Sequence, residues 1–123
     1  MNFDLSNKII WVCGHAGLAG SSLLRRLSSE KCKLIYETKS KLNLLSQNDV
    51  DKFVKKKKPN VIINAAGKVG GIAANMKYPV EFIQENLLIQ INIIKAAYSN
   101  SVEKLLFLGS SCIYPANFKQ PLK

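Results

Sequence analysis

GHAGLAG, residues 14–20, lies between a short apolar run, Lys8–Cys13, and a segment with leucines at helical spacing, Leu18–Ser29. An apolar run that stops at a glycine is typical of a buried strand that ends in a turn. The segment after the turn is predicted to be a helix, because its leucines return on one face and Arg25 and Arg26 fall on the other. The glycines therefore occupy a strand–turn–helix unit, from which the rest of the fold can be worked out.

The three glycines of this turn, Gly14, Gly17 and Gly20, allow the backbone to fold tightly and to approach a ligand closely. Their spacing is GxxGxxG rather than GxGxxG. The helix after the turn, which begins with Leu18 and Ala19, would offer unpaired N–H groups and the positive end of its dipole to a diphosphate. In this context the turn predicts binding of a dinucleotide.

Strand-like and helix-like segments alternate along the rest of the chain. Further strands are predicted at Lys33–Glu37, Asn60–Ala65 and Lys104–Leu108. Helices are predicted after Ser46, which Asp49 supports as a cap, up to Pro59, and from Pro79 to about Ser99. The glycine-containing loop 67–78 is predicted to include one helical turn. The apolar positions of the last helix are Phe82, Ile83, Leu87, Ile91, Ile94 and Ala97. This order predicts an α/β fold with a Rossmann-type, doubly wound parallel sheet of about four strands, incomplete, in one domain over residues 1–123.

Charged and small residues follow the second and third predicted strands, on the edge of the sheet where ligands of open α/β proteins bind. Glu37 could hold a ribose 2′-hydroxyl, which favours NAD, whereas Lys39 could pair with a 2′-phosphate, which favours NADP. Both are also ordinary loop charges, so the residues leave the choice of cofactor open. Ala65, Ala66 and Gly67 would let the backbone pass close to a cofactor.

Ser110, Ser111 and Cys112 follow the fourth predicted strand, at the same edge of the sheet. A serine there could hydrogen-bond a substrate carbonyl, and a thiol with a lowered pKa could move a proton. The alternative is that these are small residues that fill a turn.

Composition narrows the classes of partner. The chain has 123 residues, a formal net charge of +10 and 47% hydrophobic residues, which suffices for one packed core. The run Lys55–Lys58 has no interleaved aromatic residues, so it is interpreted as a solvated helix end rather than a nucleic-acid surface.

Three separated cysteines and one histidine predict neither a disulfide framework nor a metal site. No signal peptide or membrane-length apolar stretch is visible, which predicts a cytoplasmic protein.

Several motifs are shared with one enzyme family. They are the glycine turn, Asn43-Leu44-Leu45, Lys68-Val69-Gly70-Gly71-Ile72, Asn86 and LFLGSSCIYP at residues 106–115. With these motifs the chain resembles the GDP-L-fucose synthases, a family of the extended short-chain dehydrogenase/reductase superfamily, from about Lys8 to the C-terminus. The glycine turn is common to the superfamily, whereas the KVGG and GSSCIYP segments are much more specific.

The resemblance implies an enzyme that epimerises carbons 3 and 5 of GDP-4-keto-6-deoxy-D-mannose and reduces its 4-keto group with NADPH, giving GDP-L-fucose. It implies that Ser110 holds the 4-keto oxygen, that Cys112 is the acid and base of epimerisation, and that Lys39 lies near the 2′-phosphate of NADP. A homodimer is implied only if the missing part of the protein is present, and no nucleic acid, membrane or metal is expected. The predicted cofactor-binding residues are Gly14, Gly17, Leu18, Ala19, Gly20, Lys39, Asn43, Leu44, Ala65, Ala66 and Gly67.

The chain also departs from the family pattern. Ala16 stands where the family often has arginine, and Glu37 is an anion near the expected 2′-phosphate, so NAD is not excluded. No tyrosine has a lysine four residues later, so the Tyr-x-x-x-Lys pair of the family is absent, and its second acid/base histidine and substrate domain would lie beyond Lys123. We therefore expect a chain that is inactive alone and exposes an apolar sheet edge.

Two alternatives stay open at this point. One is another NAD(P)-dependent sugar-nucleotide epimerase or dehydratase, and the other is a non-catalytic module that binds a dinucleotide or a polyanion.

Overall fold

The computed structural model describes residues 3–110, 114, 115 and 117. The strands in this part of the chain are β1 (Ile9–Cys13), β2 (Lys33–Ile35), β3 (Val61–Asn64) and β4 (Lys104–Phe107). The helices are α1 (Leu18–Leu27), α2 (Gln47–Lys57), α3 (Ile72–Lys77) and α4 (Pro79–Ser99). No helix among the described residues is long and apolar enough to cross a membrane.

The four strands form one parallel sheet in the order β2-β1-β3-β4. Trp11 of β1 is in register with Ile35 of β2 on one side and with Ile62 of β3 on the other. The chain winds outward from β1 to β2 and then returns past β1 to β3, so the direction of winding reverses between β1 and β3. The predicted doubly wound parallel sheet is confirmed, and this reversal is where such sheets open a ligand crevice.

Helices cover both faces of the central strands. On one face, Leu27 of α1 packs in a cluster with Ile10, Val12, Val61 and Ile63 of the sheet. On the opposite face, α2 and α4 close a larger cluster whose members are Trp11, Cys13, Leu42, Val50, Val54, Ile62, Ile89, Ile93, Ala96 and Ala97. β1 and β3 carry apolar side chains on both faces of the sheet. Burial of these side chains therefore requires a layer of helices on each face.

Local signals account for the helix ends. The Ser46 side chain accepts a hydrogen bond of 3.3 Å from the backbone N–H of Asp49, which caps α2 as predicted. Pro79 is the first residue of α4, where a missing N–H leaves no intrahelical bond unmade. Lys55–Lys57 form the last turn of α2 and are exposed, in line with a solvated helix end.

The structure corrects several predicted bounds. β1 begins at Ile9 rather than Lys8, β3 is Val61–Asn64 rather than Asn60–Ala65, β4 ends at Phe107 rather than Leu108, and α1 ends at Leu27 rather than Ser29. β2 ends at Ile35 instead of Glu37, because only Lys33–Ile35 pair with β1. The helical turn predicted in the loop before Pro79 is the six-residue helix α3, which is longer than one turn.

The apolar positions predicted for α4 divide between two sides of the helix. Phe82 and Ala97 are buried, whereas Ile83, Leu87, Ile91 and Ile94 are exposed. The inner face is completed by residues that the prediction did not name, Ile89, Asn92, Ile93 and Ala96.

Apolar side chains are exposed in several places among the described residues, and two of these places concern the sheet edge and α4. On the edge strand β4, Leu106 is 47% and Phe107 is 41% exposed, as expected for an apolar sheet edge. The second place is a stripe along the outer side of α4, here called the α4 stripe: Val80, Ile83, Leu87, Ile91, Ile94 and Tyr98. A helix that is apolar on both sides is normally covered on both sides, so the α4 stripe is a candidate contact surface.

The packing of β3 leads to a stability prediction. Ile62 is fully buried in the central sheet, so Ile62→Ala should lower the free energy of unfolding by about 2–5 kcal/mol. Ile83 is 61% exposed, and Ile83→Ala is the matched control, with an expected change within about 0.5 kcal/mol. Urea unfolding of both variants measures the difference. Equal effects of the two substitutions would contradict the assignment of the core.

Candidate cofactor-binding site

A cleft opens at the carboxyl ends of β1 and β3, where the winding of the sheet reverses. Its volume is about 750 Å³, within the usual range of small-molecule sites. It is lined by the glycine turn, the loops after β2 and β3, and the first half of α4. The lining includes these members of the predicted cofactor-binding set: Gly14, Gly17, Leu18, Ala19, Lys39, Asn43, Leu44, Ala65, Ala66 and Gly67. Gly20, the remaining member, is buried behind the turn.

The glycine turn is packed too tightly for side chains at two of its three glycines. Gly14 has φ +74°, in the left-handed region, and a Cβ there would lie 2.6 Å from the carbonyl oxygen of Ala65. A Cβ on Gly20 would collide with the carbonyl oxygen of Gly14. Gly17 is different, since a Cβ there would make only ordinary contact. The absence of a side chain at Gly14 and Gly20 thus allows the backbones of β1, β3 and α1 to pack directly against each other.

The first turn of α1 has unpaired amides, and its residues Leu18 and Ala19 line the cleft. Gly17 is the N-cap and has no side chain that could cap the helix. The first amide to find a backbone partner in the helix is that of Ser21, which donates to the Gly17 carbonyl at 2.9 Å. The amides of Leu18, Ala19 and Gly20 precede it and have no intrahelical acceptor. Three N–H groups at the positive end of a helix dipole fit the diphosphate of a dinucleotide.

The loop after β2 forms one wall of the cleft. Glu37 and Lys39 both line it, so the structure brings a carboxylate and an ammonium group to the place where the ribose of the adenosine half is expected. The Asn43 side chain accepts from the N–H of Leu45 at 3.1 Å, which shapes the loop locally. Asn92 of α4 donates to the carbonyl of Leu44 at 2.9 Å and ties this wall to the helix.

The loop after β3 forms the opposite wall. Its first residue, Ala65, donates to the Cys13 carbonyl at 3.1 Å, and Ala66 donates to the side-chain oxygen of Asn64 at 3.0 Å. Further along, the Lys68 ammonium lies 2.5 Å from the Glu85 carboxylate of α4. In this loop the small residues Ala65 and Ala66 are therefore next to the glycine turn, and the Lys68–Glu85 ion pair is farther from it.

Cys13 also lines the cleft, at the end of β1, but it is not suited to chemistry. Its side chain is buried, and burial raises the pKa of the Cys13 thiol well above its ordinary value. A thiol that stays protonated is a weak nucleophile and a weak base. Cys13 is therefore a packing residue of the cleft floor.

The predicted catalytic residues are only partly described. Ser110 lies three positions after the last residue of β4 and is exposed at the carboxyl edge of the sheet. It is not among the described residues that line the cleft. Ser111 and Cys112 lie outside the described residues. Within the described ranges, no three His, Cys, Asp or Glu side chains are grouped so that they could hold a metal ion.

Comparison with known sequences decides the family. Residues 10–123 match the profile described as the NAD dependent epimerase/dehydratase family. This chain belongs to that family. It is 50% identical over 119 residues to the GDP-L-fucose synthase of Sinorhizobium fredii, which covers 97% of this chain and 38% of that protein. It is 50% identical over 120 residues to GDP-L-fucose synthase 1 of Arabidopsis thaliana, which covers 97% of this chain and 37% of that protein. The chain thus spans less than two fifths of the curated relatives it matches.

Solved structures of two reductases share the fold of this chain. A GDP-mannoheptose C4 reductase from Campylobacter jejuni with NADP bound superposes with a TM-score of 0.88 at 41% identity, over 95% of this chain and 37% of that one. A GDP-6-OMe-4-keto-L-xylo-heptose reductase from the same organism gives a TM-score of 0.88 at 41% identity, over 95% of this chain and 34% of that one.

Some cleft residues of this family member had no motif to mark them. Glu85 and Ile89 enter the cleft from α4, and only their spacing of four residues hints that they share a helix face. His15 and Tyr36 stack with ring centroids 4.8 Å apart and join the glycine turn to the end of β2. His15 lies within the glycine turn, but nothing in the sequence indicated that its ring would contact Tyr36.

The glycine turn leads to a second prediction. Gly14→Ala should destabilise the protein, by about 1–2 kcal/mol from the left-handed backbone alone, and should abolish detectable dinucleotide binding because Ala65 must move. Gly71 has φ −69°, and a Cβ on it would have no neighbouring atom within 4 Å, so Gly71→Ala is the control and should be near neutral. Thermal unfolding and calorimetric titration with NADPH measure both effects. A Gly14→Ala protein that binds NADPH like the parent would refute this role.

Proposed function

We propose that this chain is the cofactor-binding portion of a GDP-L-fucose synthase, which epimerises carbons 3 and 5 of GDP-4-keto-6-deoxy-D-mannose and reduces carbon 4. The observation that carries the proposal is the cleft at the reversal of the sheet, which is lined by Leu18 and Ala19 of the first, unpaired turn of α1. The 50% identity to proteins of that name, over nearly the whole chain, supports the choice of substrate. The LFLGSSCIYP segment, one of the motifs by which the chain resembles that family, supports it as well.

The proposed cofactor is NADPH, which supplies the hydride that reduces the 4-keto group. Lys39 lines the wall where the adenosine ribose is expected and is exposed. Its ammonium group is therefore free to approach a 2′-phosphate. Glu37 lines the same wall and would repel that phosphate, and Ala16 contributes no charge. The preference for NADPH over NADH should accordingly rest on Lys39 and be modest.

The residues proposed for proton chemistry follow β4. The Ser110 hydroxyl would donate a hydrogen bond to the 4-keto oxygen and so stabilise negative charge there. The keto group acidifies the protons on both neighbouring carbons. The thiolate of Cys112 would accept such a proton from one face of the sugar ring, and a second acid in the longer protein would donate a proton to the opposite face. Ser110 stands at the carboxyl edge of the sheet, which is compatible with this role.

We also propose that the longer protein is a homodimer and that the α4 stripe belongs to its interface. The stripe runs along most of a 21-residue helix. Its members are at least 48% exposed, from Leu87 at 48% to Tyr98 at 88%. Spacings of three and four residues allow two copies of such a helix to pack against each other.

A second candidate is a reductase of another GDP-sugar. It is favoured by the 41% identity to the two Campylobacter jejuni GDP-heptose reductases. Both candidates need the same cofactor cleft and differ in the sugar, so they are separated by substrate and not by cofactor.

Turnover tests the proposed function. These 123 residues contain no Tyr-x-x-x-Lys pair, so the purified chain should bind NADPH in calorimetric titration yet show no oxidation of NADPH with the keto-sugar. A longer protein that carries this segment and the missing pair should convert the keto-sugar to GDP-L-fucose. Turnover of a GDP-heptose instead would favour the second candidate. Tight binding of a random oligonucleotide without binding of NADPH would refute both.

Substitution of Lys39, in the loop after β2, tests the preference for NADPH over NADH. Lys39→Ala should weaken NADPH binding by about tenfold, the lower end of the usual effect of one hydrogen bond to a charged group, and leave NADH binding unchanged. Lys41, two residues on, is exposed but outside the cleft lining, so Lys41→Ala is the matched control and should change neither. Dissociation constants for both cofactors measure the outcome. An equal loss for NADPH and NADH would show that Lys39 does not contact a 2′-phosphate.

A further inference from the structure

Asn86 of α4 makes an unusual set of contacts with the loop after β3. Its side-chain oxygen accepts from the N–H of Lys68 at 2.8 Å, and its side-chain nitrogen donates to the carbonyl of Lys68 at 3.0 Å. The same nitrogen donates to the carbonyl of Phe82, one turn back in the helix, at 2.8 Å. One amide thus satisfies both backbone groups of Lys68, as a neighbouring strand would.

The approach of this loop to α4 depends on the residue before it. A Cβ on Gly67 would lie 3.0 Å from the side-chain oxygen of Asn86, closer than side chains normally tolerate. The side chain of Lys68 returns to the same helix, since its ammonium pairs with Glu85 and lies 5.6 Å from the centre of the Phe82 ring. The backbone and the side chain of Lys68 are therefore both anchored to the first turns of α4.

Asn86 does not itself line the cleft, whereas Gly67, Lys68 and Val69 do. These residues follow β3, on the side of the glycine turn away from the loop after β2. In dinucleotide crevices of this topology the end of the second strand meets the adenosine ribose, and the dinucleotide extends across the switch point. The wall that Asn86 holds should therefore face the nicotinamide half of the cofactor.

We propose that Asn86 is a positioning residue, which fixes the nicotinamide-side wall of the cleft by binding the backbone of Lys68. The proposal rests on the dinucleotide-binding function proposed above. It predicts that loss of Asn86 weakens binding of the nicotinamide half and spares the adenosine diphosphate half. A residue with a purely structural role would instead weaken both, because a less stable fold loses the whole site.

The chain offers a matched control on the same helix. Asn100 donates to the carbonyl of Ala96, four residues back, at 2.9 Å, as Asn86 does to Phe82. Asn100 follows the far end of α4 and is outside the cleft lining. Asn100→Leu therefore removes the same kind of local bond without touching the wall.

The test compares two ligands by calorimetric titration, ADP for the adenosine half and NADPH for the whole cofactor. Asn86→Leu should weaken NADPH binding on the order of tenfold, the equivalent of one or two lost hydrogen bonds, and change ADP binding less than about twofold. Asn100→Leu should change neither. Equal weakening of both ligands by Asn86→Leu, or no weakening of NADPH, would overturn the proposal. A parent chain that binds neither ligand would refute the dinucleotide-binding function itself.

Hydrogen exchange gives a second measurement that needs no ligand. Asn86→Leu should speed exchange of the Lys68 amide, because that amide loses its acceptor. Asn86→Asp keeps an acceptor oxygen in the same place and should preserve most of the protection at Lys68, although it cannot make the two donor bonds. An exchange rate at Lys68 that is the same in the parent and in Asn86→Leu would overturn the proposal, whatever the titrations show.

Discussion

The structure depends on a contact between backbones that leaves no room for side chains. A Cβ on Gly14 would strike the carbonyl of Ala65, the residue after β3, and a Cβ on Gly20 would strike the Gly14 carbonyl. Because both positions are glycine, the end of β1, the end of β3 and the first turn of α1 meet directly. This contact places the unpaired amides of α1 at the rim of the sheet, and the cleft forms beside them because the winding reverses at the same point.

Features with a local cause were predictable from the sequence. The Ser46 cap, the start of α4 at Pro79 and the helix after the glycine turn each follow from residues within one turn of the feature. The end of β2 was predicted two residues too late, because only pairing with β1 decides where a strand stops. The inner face of α4 could not be predicted from spacing alone, since apolar residues such as Ile83 and Ile93 occur on both of its sides.

In the candidate site, too, residues with a local signal were predicted and residues with distant partners were not. The glycine turn and the small residues after β3 were identified because each follows directly from its position at the end of a strand. Glu85, Asn86 and Asn92 were given no role, although they contact or line the cleft walls, because their partners lie 17 to 48 residues away in the chain. Long helices that follow the site in sequence can therefore shape it as much as the loops that contain its motif.

The position of Trp11 has a practical consequence. It is the sole tryptophan of the chain, it is 1% exposed, and it lies both in the larger core cluster and along the cleft. Indole emission overlaps the absorption of a reduced nicotinamide, so a dinucleotide held in the cleft would quench this fluorophore by energy transfer. The same emission would shift to longer wavelength once the core admits water. The protein therefore carries a built-in optical reporter that registers unfolding and occupancy through one chromophore, without any attached label.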